Sequence, residues 1–586
     1  MEKRGFIVMT ALIVALGGFL MGFDASVISG VNEFIVPEFN LTSIELGWAV
    51  ASLTLVATLA MLIAGPLSDR YGRRRVLSVA AILYAISAIG SALAPDYLSL
   101  IIARMIGGIG VGASLIIAPM YIAEISPPKV RGQMVSFNQL NIVLGLFIAF
   151  VTNYMILQLG KSDAEWAIAL KFKEFNWRWM LGLEAVPAIL YFFGLLFVPR
   201  SPRWLIMKGK FEEALNVMKK ATANDKAEAQ LQSIRENVSE DKNKEKVSMA
   251  EIFKPALRLV LTIGIVIAIL QQITGINSVF FYAPMIFKQT GAGQDAAFWQ
   301  SIIVGFINIV FTILAILFIE RLGRKPLLTY GVLGIVISMG MISYGFYNAS
   351  YELTAEDLNS FPTEIQKPLS SLQDQVFDSE LDFKATVKSA LGEGLFKEMG
   401  DDIIKASTNP ESSNTSYELT EEGLNSLPTM IQQPLSSLQD KKFSSASEFE
   451  TSVISTLGEE VFKEKRDDII TASINANSTL ILIAILSFIA CFAFSLGPVM
   501  WVLFSELFPN AVRAAAISFV GMINSGVSFL IQFIFPLELE LIGSTATFLI
   551  FGLFALAGLV FIIRTVPETK GRSLEELEEL LVKSKQ

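Results

Sequence analysis

Two charged residues stand inside stretches of sequence that are otherwise apolar. Asp24 is the only acid between Gly5 and Val31, in the segment GFDASVISG, and Arg104 is the basic residue that stands out in the segment IIARMIGGIGVG. A charge in a nonpolar environment is costly unless it is paired with an opposite charge. These residues therefore indicate either a structural ion pair or a buried carboxyl group that exchanges a proton.

Amide side chains and one aromatic residue form a second set. An amide supplies a hydrogen-bond donor and an acceptor without charge, so it can serve a polar ligand or join two helices at about 1 kcal/mol per bond. The set comprises Gln139, Gln271, Gln272, Asn277, Asn308, Asn524 and Trp501.

The sequence lacks the residues that several kinds of catalytic, metal and nucleotide site require. The chain has no histidine and a single cysteine, Cys491, which excludes a His-based metal site, a His general base and an internal disulfide framework. We find no nucleophile–base pair, and GGIGVG lacks the strand–turn–helix context of a nucleotide loop. The sequence predicts no enzyme, no cofactor and no nucleic-acid partner.

Long apolar segments dominate the rest of the chain. Of its 586 residues, 53% are hydrophobic and 17% charged. Twelve segments between residues 5 and 566 are long enough to cross a hydrocarbon core as helices. The first one exceeds a signal-peptide core and has no convincing cleavage site, so we interpret it as a membrane helix. These features predict an all-α, polytopic membrane protein.

The basic connections predict the orientation. DRYGRRR (69–75) follows the second segment, ERLGRKP (320–326) follows the eighth, and further Lys and Arg residues follow the fourth and sixth. Basic connections lie on the cytoplasmic side, so both termini are expected there. We expect a location in the plasma membrane, of the bacterial inner-membrane type, with the lipid bilayer as surroundings.

The domain boundaries follow from charge and repetition. Residues 348–478 hold 24 acidic and 10 basic residues, a net charge of −14, whereas the remainder of the chain carries +5. NASYELTAEDLNSFP (348–362) recurs 66 residues later as NTSYELTEEGLNSLP, which predicts a duplicated, mainly helical unit outside the membrane. Whether this insert binds a partner or is only a spacer stays open.

The predicted domains are a six-helix bundle (1–199), a cytoplasmic helical linker (200–254), a second six-helix bundle (255–347 and 479–566), the insert between helices 9 and 10 (348–478) and a cytoplasmic tail (567–586).

The two bundles are related in sequence. YGRR at residue 71 corresponds to LGRK at 322, and AEISPPKVRG corresponds to SELFPNAVRA. The two offsets differ by the length of the insert, so a duplicated protein is interrupted there. Two six-helix halves of this kind are typical of major facilitator transporters.

A set of motifs resembles the sugar porter family of the major facilitator superfamily. They are GPLSDRYGRRR, RMIGGIGVG, PMYIAEISPPKVRG, RSPRWL, QQITGINSVFFYAP, GPVMWVLFSELFPNAVR and PETKGRSLEELE. The resemblance covers everything outside 348–478, and bacterial sugar–proton symporters, such as the xylose–proton symporter, are the most similar kind. It implies a monosaccharide as substrate, either a hexose or a pentose, and alternating access.

The resemblance also assigns expected roles to residues. The six amides would bind the sugar and Trp501 would provide an aromatic face. The seventh span would be a discontinuous helix with Gly275 as its weak point, and Phe281 and Tyr282 would form an extracellular lid beyond it. Met21, Leu146 and Ser525 differ from residues common in relatives, so the identity of the sugar cannot be transferred.

The charged residues complete these expectations. Asp24 and Arg104 would lie side by side, and since facilitative glucose transporters carry Asn at position 24, the acid favours proton coupling. Arg200 replaces the usual acid of a PESPRW motif. The resemblance further implies salt bridges between the two halves that hold the outward-facing state closed at the cytoplasmic end. They would be formed by Asp69, Arg73, Glu124, Arg131, Glu320, Arg324, Glu506 and Arg513.

Proton-coupled monosaccharide symport is therefore the predicted function. A facilitative uniporter, in which Asp24 is only the partner of Arg104, is the alternative. A sugar sensor that does not transport is a third reading, which the short tail after the last helix disfavours.

Overall fold

The structure, a computed structural model, covers most of the chain outside the insert. It describes residues 4–127, 130–221, 227–228, 231–235, 249–290, 294–347, 350–352, 368–372, 376–377, 386–387, 389–390, 408–409, 417–418, 442–443, 477–509, 512–570 and 576.

Helices, five of them with 20 residues or more, account for nearly all of the described first half. They are α1 (Arg4–Phe39), α2 (Ser43–Tyr71), α3 (Arg73–Ala92), α4 (Tyr97–Ile125), α5 (Arg131–Gly160), α6 (Glu165–Ala169), α7 (Asn176–Gly182), α8 (Ala185–Phe197), α9 (Pro202–Met207) and α10 (Phe211–Ala221). Two short 3₁₀ helices follow, at Met249–Phe253 and Pro255–Leu257.

The second half repeats this pattern. Its helices are α11 (Arg258–Ile273), α12 (Ile276–Phe281), α13 (Ala283–Lys288), α14 (Gln294–Leu322), α15 (Arg324–Tyr347), α16 (Asn477–Phe494), α17 (Leu496–Leu507), α18 (Arg513–Leu541) and α19 (Gly543–Thr565). Within the described ranges, twelve helices or helix pairs are long and apolar enough to span a membrane. This finding confirms the predicted class of a twelve-helix membrane protein.

Local signals in the sequence explain where several helices begin and break. The Thr42 hydroxyl accepts the N–H of Glu45, while the Glu45 carboxylate accepts the N–H of Thr42. This capping box satisfies N–H groups that would lack partners at the start of α2. Gly275 separates α11 from α12 in the left-handed region, with φ of 82°, so the predicted weak point of this span is a real break.

The first half is packed around close helix contacts. α1 packs along α5, and α4 packs against both α2 and α3. At Gly22 of α1, an added Cβ atom would overlap the carbonyl oxygen of Ile142 in α5. Only glycine permits this approach, which brings the helix carrying Asp24 against the neighbouring helix.

The two halves meet along two helix pairs. α2 packs against α18, and α5 packs against α14. Aromatic contacts support both pairs, since the Trp48 ring lies 6.0 Å from that of Phe529, and the Phe147 ring lies 6.5 Å from that of Phe306. The interior between these pairs is where a site shared by both halves can form.

Short strands occur in the described part of the insert. They are β1 (Ser350–Glu352), β2 (Val376–Phe377), β3 (Thr408–Asn409), β4 (Tyr417–Glu418) and β5 (Lys442–Phe443), in sheets ordered β2-β1-β3 and β4-β5. Tyr351 pairs with Phe377, and Tyr417 pairs with Phe443. These pairs are related by the 66-residue repeat, so both copies form the same antiparallel contact. We did not expect strands here. The rest of the insert lies outside the described residues, so its mainly helical character stays a prediction.

Candidate functional site

The charged pair in the first half lies deep in the protein. Asp24 of α1 is 1% exposed and Arg104 of α4 is 2% exposed, and Arg104 Nη1 donates to Asp24 Oδ1 at 3.2 Å. Arg104 Nε also donates to the backbone carbonyl of Ala49 at 3.2 Å. The structure therefore brings together the two residues that stood out in the sequence.

The second carboxylate oxygen of Asp24 is not hydrogen-bonded to Arg104. No hydrogen-bond partner of Asp24 Oδ2 occurs within the described part of the chain. A Cβ atom added at Gly107 would lie 3.1 Å from this oxygen and 2.5 Å from the Ser87 hydroxyl. Glycine at position 107 thus keeps the space beside the carboxylate free of side-chain atoms, where a proton can be held.

A second buried acid lies near this pair and escaped the sequence analysis. Glu184, at the junction of α7 and α8, is 2% exposed, and it interacts electrostatically with both Asp24 and Arg104. Its Oε1 lacks a partner among the residues described. The signal was present, because Glu184 is an acid inside the sixth apolar segment, but it was not singled out.

Four of the six predicted amides form one hydrogen-bond network in the second half. Gln272 Nε2 donates to Asn524 Oδ1 at 3.1 Å and to Gln271 Oε1 at 3.2 Å. Asn524 Nδ2 donates to Gln271 Oε1 at 2.8 Å, and Asn277 Nδ2 donates to Gln272 Oε1 at 2.8 Å. Three of these residues flank the break at Gly275, so the helix break positions their side chains against α18.

Two further residues extend this network. Asn277 Nδ2 donates to Ser528 Oγ at 2.7 Å, and Gln532 Nε2 donates to the same oxygen at 2.7 Å. Thr54 of the first half donates to Gln532 Oε1 at 2.8 Å. Asn524, Ser528 and Gln532 recur every four residues along α18, a spacing that puts them on one helix face. That spacing could have identified Ser528 and Gln532 from the sequence.

The other three predicted ligand-binding residues lie outside this network. Trp501 of α17 is 41% exposed, and its ring lies 3.6 Å from the Cβ position of Gly521 in α18. Asn308 is 6% exposed, while Gln139 is partly buried. The structure does not join these three side chains to the four amides.

Contacts between the halves occur at the end of the helices opposite the basic motifs. We call this the opposite end; it contains the α1–α2 connection, residues 281–290 and residue 294. Asn32 Nδ2 of the first half donates to the Phe281 carbonyl of the second half at 3.0 Å. Within the second half, the Tyr282 hydroxyl donates to the Gln532 carbonyl at 2.9 Å. The expected lid residues Phe281 and Tyr282 are both buried.

Ion pairs reinforce this closure. Glu33 of α1 pairs with Lys288 of α13 and accepts a bond of 2.8 Å from Gln294. Lys161 at the end of α5 pairs with Asp295 of α14 at 2.6 Å. Each of these contacts crosses from the first half to the second.

At the end that carries the basic motifs, which we call the basic end, the predicted gate residues pair differently. Arg73 pairs with Asp69 at 2.8 Å and with Glu124 at 3.0 Å, and all three belong to the first half. Salt bridges between the halves are expected of these residues in the outward-facing state, and that expectation stays a prediction.

The second half repeats the arrangement. Arg324 pairs with Glu320 at 2.8 Å and with Glu506 at 2.6 Å, both in the same half. Arg513 donates to the Phe508 carbonyl at 3.0 Å, and the side chain of Arg131 lies outside the described residues. The ion pairs that join the halves lie at the opposite end, whereas Arg73 and Arg324 each pair within their own half.

Comparison with known proteins identifies the family. A family model described as "Sugar (and other) transporter" matches residues 10–356 and 462–581. The chain belongs to this family of sugar transporters. It is a multi-pass membrane protein of the major facilitator type, and the match leaves out residues 357–461, which form most of the insert.

Individual sugar transporters resemble the chain over nearly its full length. The arabinose-proton symporter of Bacillus subtilis (strain 168) is 30% identical over 582 residues, which cover 99% of this chain and 96% of the relative. The D-xylose-proton symporter of Escherichia coli (strain K12) is 30% identical over 611 residues, with the same two coverages. The inward-open structure of the xylose transporter XylE from E. coli superimposes with a TM-score of 0.66 at 27% identity, covering 98% of this chain and all of the other.

Proposed function

We propose that this sugar transporter is a proton-coupled monosaccharide symporter that works by alternating access. The observation that carries the proposal is the buried Asp24–Arg104 pair, in which one carboxylate oxygen has no partner in the described protein. The two named relatives act with protons on arabinose and on xylose, which supports a pentose or a similar monosaccharide as substrate.

Asp24 performs the proton step in this scheme. Desolvation favours the neutral acid, and the Arg104 guanidinium favours the carboxylate. Because these influences oppose each other, a small change in the distance between the two groups switches the protonation state. Protonation removes the attraction between α1 and α4, so the proton and the arrangement of the first half become coupled.

The amide network performs the binding step. Gln271, Gln272, Asn277 and Asn524 bond one another, and sugar hydroxyls can replace these bonds with others of equal number and type. Exchanging partners in this way avoids leaving a buried donor unsatisfied. Trp501 would supply an apolar face for the C–H groups of the ring.

The ends of the helices perform the gating step. Closure at the opposite end, through Glu33–Lys288 and Lys161–Asp295, supports a conformation in which the site opens toward the basic end. Reversal of this closure would expose the site on the other side, with the arginine clusters at the basic end as the gate. We further propose that the protein lies in the plasma membrane with the basic end and both termini in the cytoplasm.

A lightly buffered suspension of cells that express the protein tests this function. Addition of the correct sugar from a panel of pentoses and hexoses should make the external medium more alkaline, because each sugar enters with a proton. The same cells without the protein are the control. Uptake of a sugar with no change in pH would support the uniporter instead.

A further inference from the structure

A cavity at the basic end of the first half has no part in the proposed binding of sugar or proton, and of its arginines only Arg73 belongs to the predicted gate. Its volume is about 480 Å³, and it lies between the α2–α3 turn, the end of α8 and the start of α9. Its charged lining residues are Arg73, Arg74, Arg75 and Arg200, and none of the described residues that line it is acidic.

The positive charge of this cavity is only partly compensated. Arg73 is neutralised by Asp69 and Glu124. Arg200 pairs with Glu213 at 3.4 Å, and both side chains are more than a third exposed, so water weakens this pair. In the described part of the chain, no carboxylate forms an ion pair with Arg74 or Arg75.

The second half contains the same turn and so provides an internal comparison. Gly72 and Gly323 begin the equivalent turns with φ of 94° and 95°. Next to the cavity, the Ser201 hydroxyl donates to the carboxylate of Glu124. In the second half, the Thr569 hydroxyl donates to Glu506 at 2.6 Å. Ser201 and Thr569 are therefore equivalent, and the residues before them, Arg200 and Glu568, occupy matching positions.

An anion fills this position in the second half. The Glu568 carboxylate accepts the backbone N–H groups of Arg324 and Lys325 at 3.1 Å each. These are the first two residues of α15, where free N–H groups and the helix dipole favour a negative charge.

The first half has no carboxylate at the position that Glu568 occupies in the second half. The equivalent helix α3 begins at Arg73 and has no side-chain cap, and Arg200 stands where a carboxylate would be. Replacing an acid by a base at this position changes the local charge by two units. The first half thus has an uncapped helix start like the one that binds the Glu568 carboxylate in the second half. Beside this helix start lies an open cavity lined by arginines.

We propose that this cavity binds the phosphate group of an external ligand. Guanidinium groups hold phosphate oxygens with paired, charge-assisted hydrogen bonds, and Arg74, Arg75 and Arg200 supply them. Val79 and Leu196 also line the cavity and are 53% and 46% exposed. The phosphate can belong to the headgroup of an anionic phospholipid or to a soluble phosphate compound.

Thermal unfolding of the purified full-length protein in a neutral detergent tests the proposal. The probes are short-chain phosphatidylglycerol and inorganic phosphate, with phosphatidylcholine and chloride at equal ionic strength as references. A ligand that binds the folded state raises the unfolding temperature with a saturable dependence on concentration. We expect this for at least one of the two probes.

Variants connect the effect to the cavity. Arg200→Glu gives the first half the acid that the second half carries, so it should weaken the apparent affinity for the probe about tenfold or more. Arg75→Gln should weaken it as well, which keeps the test valid if the first variant folds poorly. Arg321→Gln removes an exposed charge at the basic end of the second half and should leave the affinity unchanged.

The outcomes separate the sources of the phosphate. Saturation by phosphatidylglycerol alone indicates a lipid headgroup, and saturation by inorganic phosphate indicates a soluble ligand. If neither probe raises the unfolding temperature, or if Arg200→Glu and Arg75→Gln bind as the unmodified protein does, the proposal is wrong. These results do not depend on whether transport is coupled to protons.

Discussion

At the scale of single residues, Ser528 connects the amide network to the rest of the second half. Its hydroxyl accepts hydrogen bonds from both Asn277 and Gln532. Through Gln532 the network reaches Thr54 in the first half. The orientation of the amides proposed to bind sugar therefore depends on Ser528, a residue to which the sequence analysis assigned no role.

Substitution of Ser528 by alanine should weaken sugar binding. Loss of the acceptor removes a partner from the buried amide of Gln532 and from the partly buried amide of Asn277, at a cost of about 1–2 kcal/mol. We expect the KM for sugar uptake to rise roughly 5–30-fold. Concentration dependence of initial uptake rates measures this change.

Ser505→Ala is the matched control for this substitution. Ser505 is exposed and donates only to the carbonyl of Val502 in its own helix, so its KM should stay within twofold of the original. Equal KM values for both variants would show that the network does not position the binding amides.

Some of these residues could be predicted from the sequence, and the reason is physical. Asp24 and Arg104 were conspicuous because an isolated charge in an apolar segment requires compensation, and the structure brings them into contact. Ser528 and Glu184 were not recognised. A serine on a helix commonly bonds its own backbone, so its type indicates nothing about partners, and the environment of Glu184 depends on how α8 packs against α3 and α1.

At the scale of helices, the close approach of α1 and α5 depends on glycine. An added methyl group at Gly22 overlaps the backbone of α5. Since packed interiors tolerate overpacking poorly, Gly22→Ala should destabilise the protein by about 1–3 kcal/mol. A fall of several degrees in the unfolding temperature, measured in detergent, is the expected result.

Gly65→Ala serves as the comparison within another membrane helix. A Cβ atom at position 65 of α2 has no neighbour within 4 Å among those considered, and alanine has the higher helix propensity. Its unfolding temperature should stay the same or rise. If both variants unfold at the temperature of the original protein, the α1–α5 contact is looser than described.

Helices were easier to predict than their pairing. Twelve apolar segments predict twelve spans, because length and hydropathy are local properties of the sequence. The break at Gly275 was also predictable, since glycine adopts the left-handed conformation without a steric penalty. The strands in the insert were missed because each is only two or three residues long and a pattern of alternation needs more residues to be visible.

At the scale of the whole molecule, the two ends of the helices are held in different ways. The halves are joined at the opposite end by the pairs of Glu33 and Asp295, while Arg73 and Arg324 form ion pairs inside their own halves. The sequence could place charges at the basic end. It could not reveal their partners, because these depend on which helix ends lie close together in the folded chain.

Removal of an ion pair at the opposite end should shift the equilibrium between the closed and the open arrangement of that end. Glu33→Gln leaves the partly buried Lys288 without the charge of its partner, so the closed arrangement should lose about 1 kcal/mol relative to the open one. The ratio of the two populations would then change roughly fivefold.

Spin labels can measure that ratio. We would replace Cys491 by Ser and attach labels at positions 93 and 541. Leu93 follows α3 and Leu541 ends α18, and both are exposed at the opposite end. A population at longer distance should grow in the Glu33→Gln variant. Glu174→Gln, which affects a pair with Lys171 inside the first half, should leave the distances unchanged, and an unchanged distribution in both variants argues against a gate at Glu33.

Sugar accumulation against a gradient, compared with counterflow exchange, in Asp24→Asn tests the central claim most directly. Asparagine keeps the size and polarity of the side chain but cannot carry a proton. Asp96→Asn, at an exposed helix cap where asparagine is equally favourable, is the matched control. We predict that Asp24→Asn abolishes accumulation and keeps exchange, while Asp96→Asn retains both. Full accumulation in Asp24→Asn would contradict the assignment of this carboxylate as the site of proton coupling.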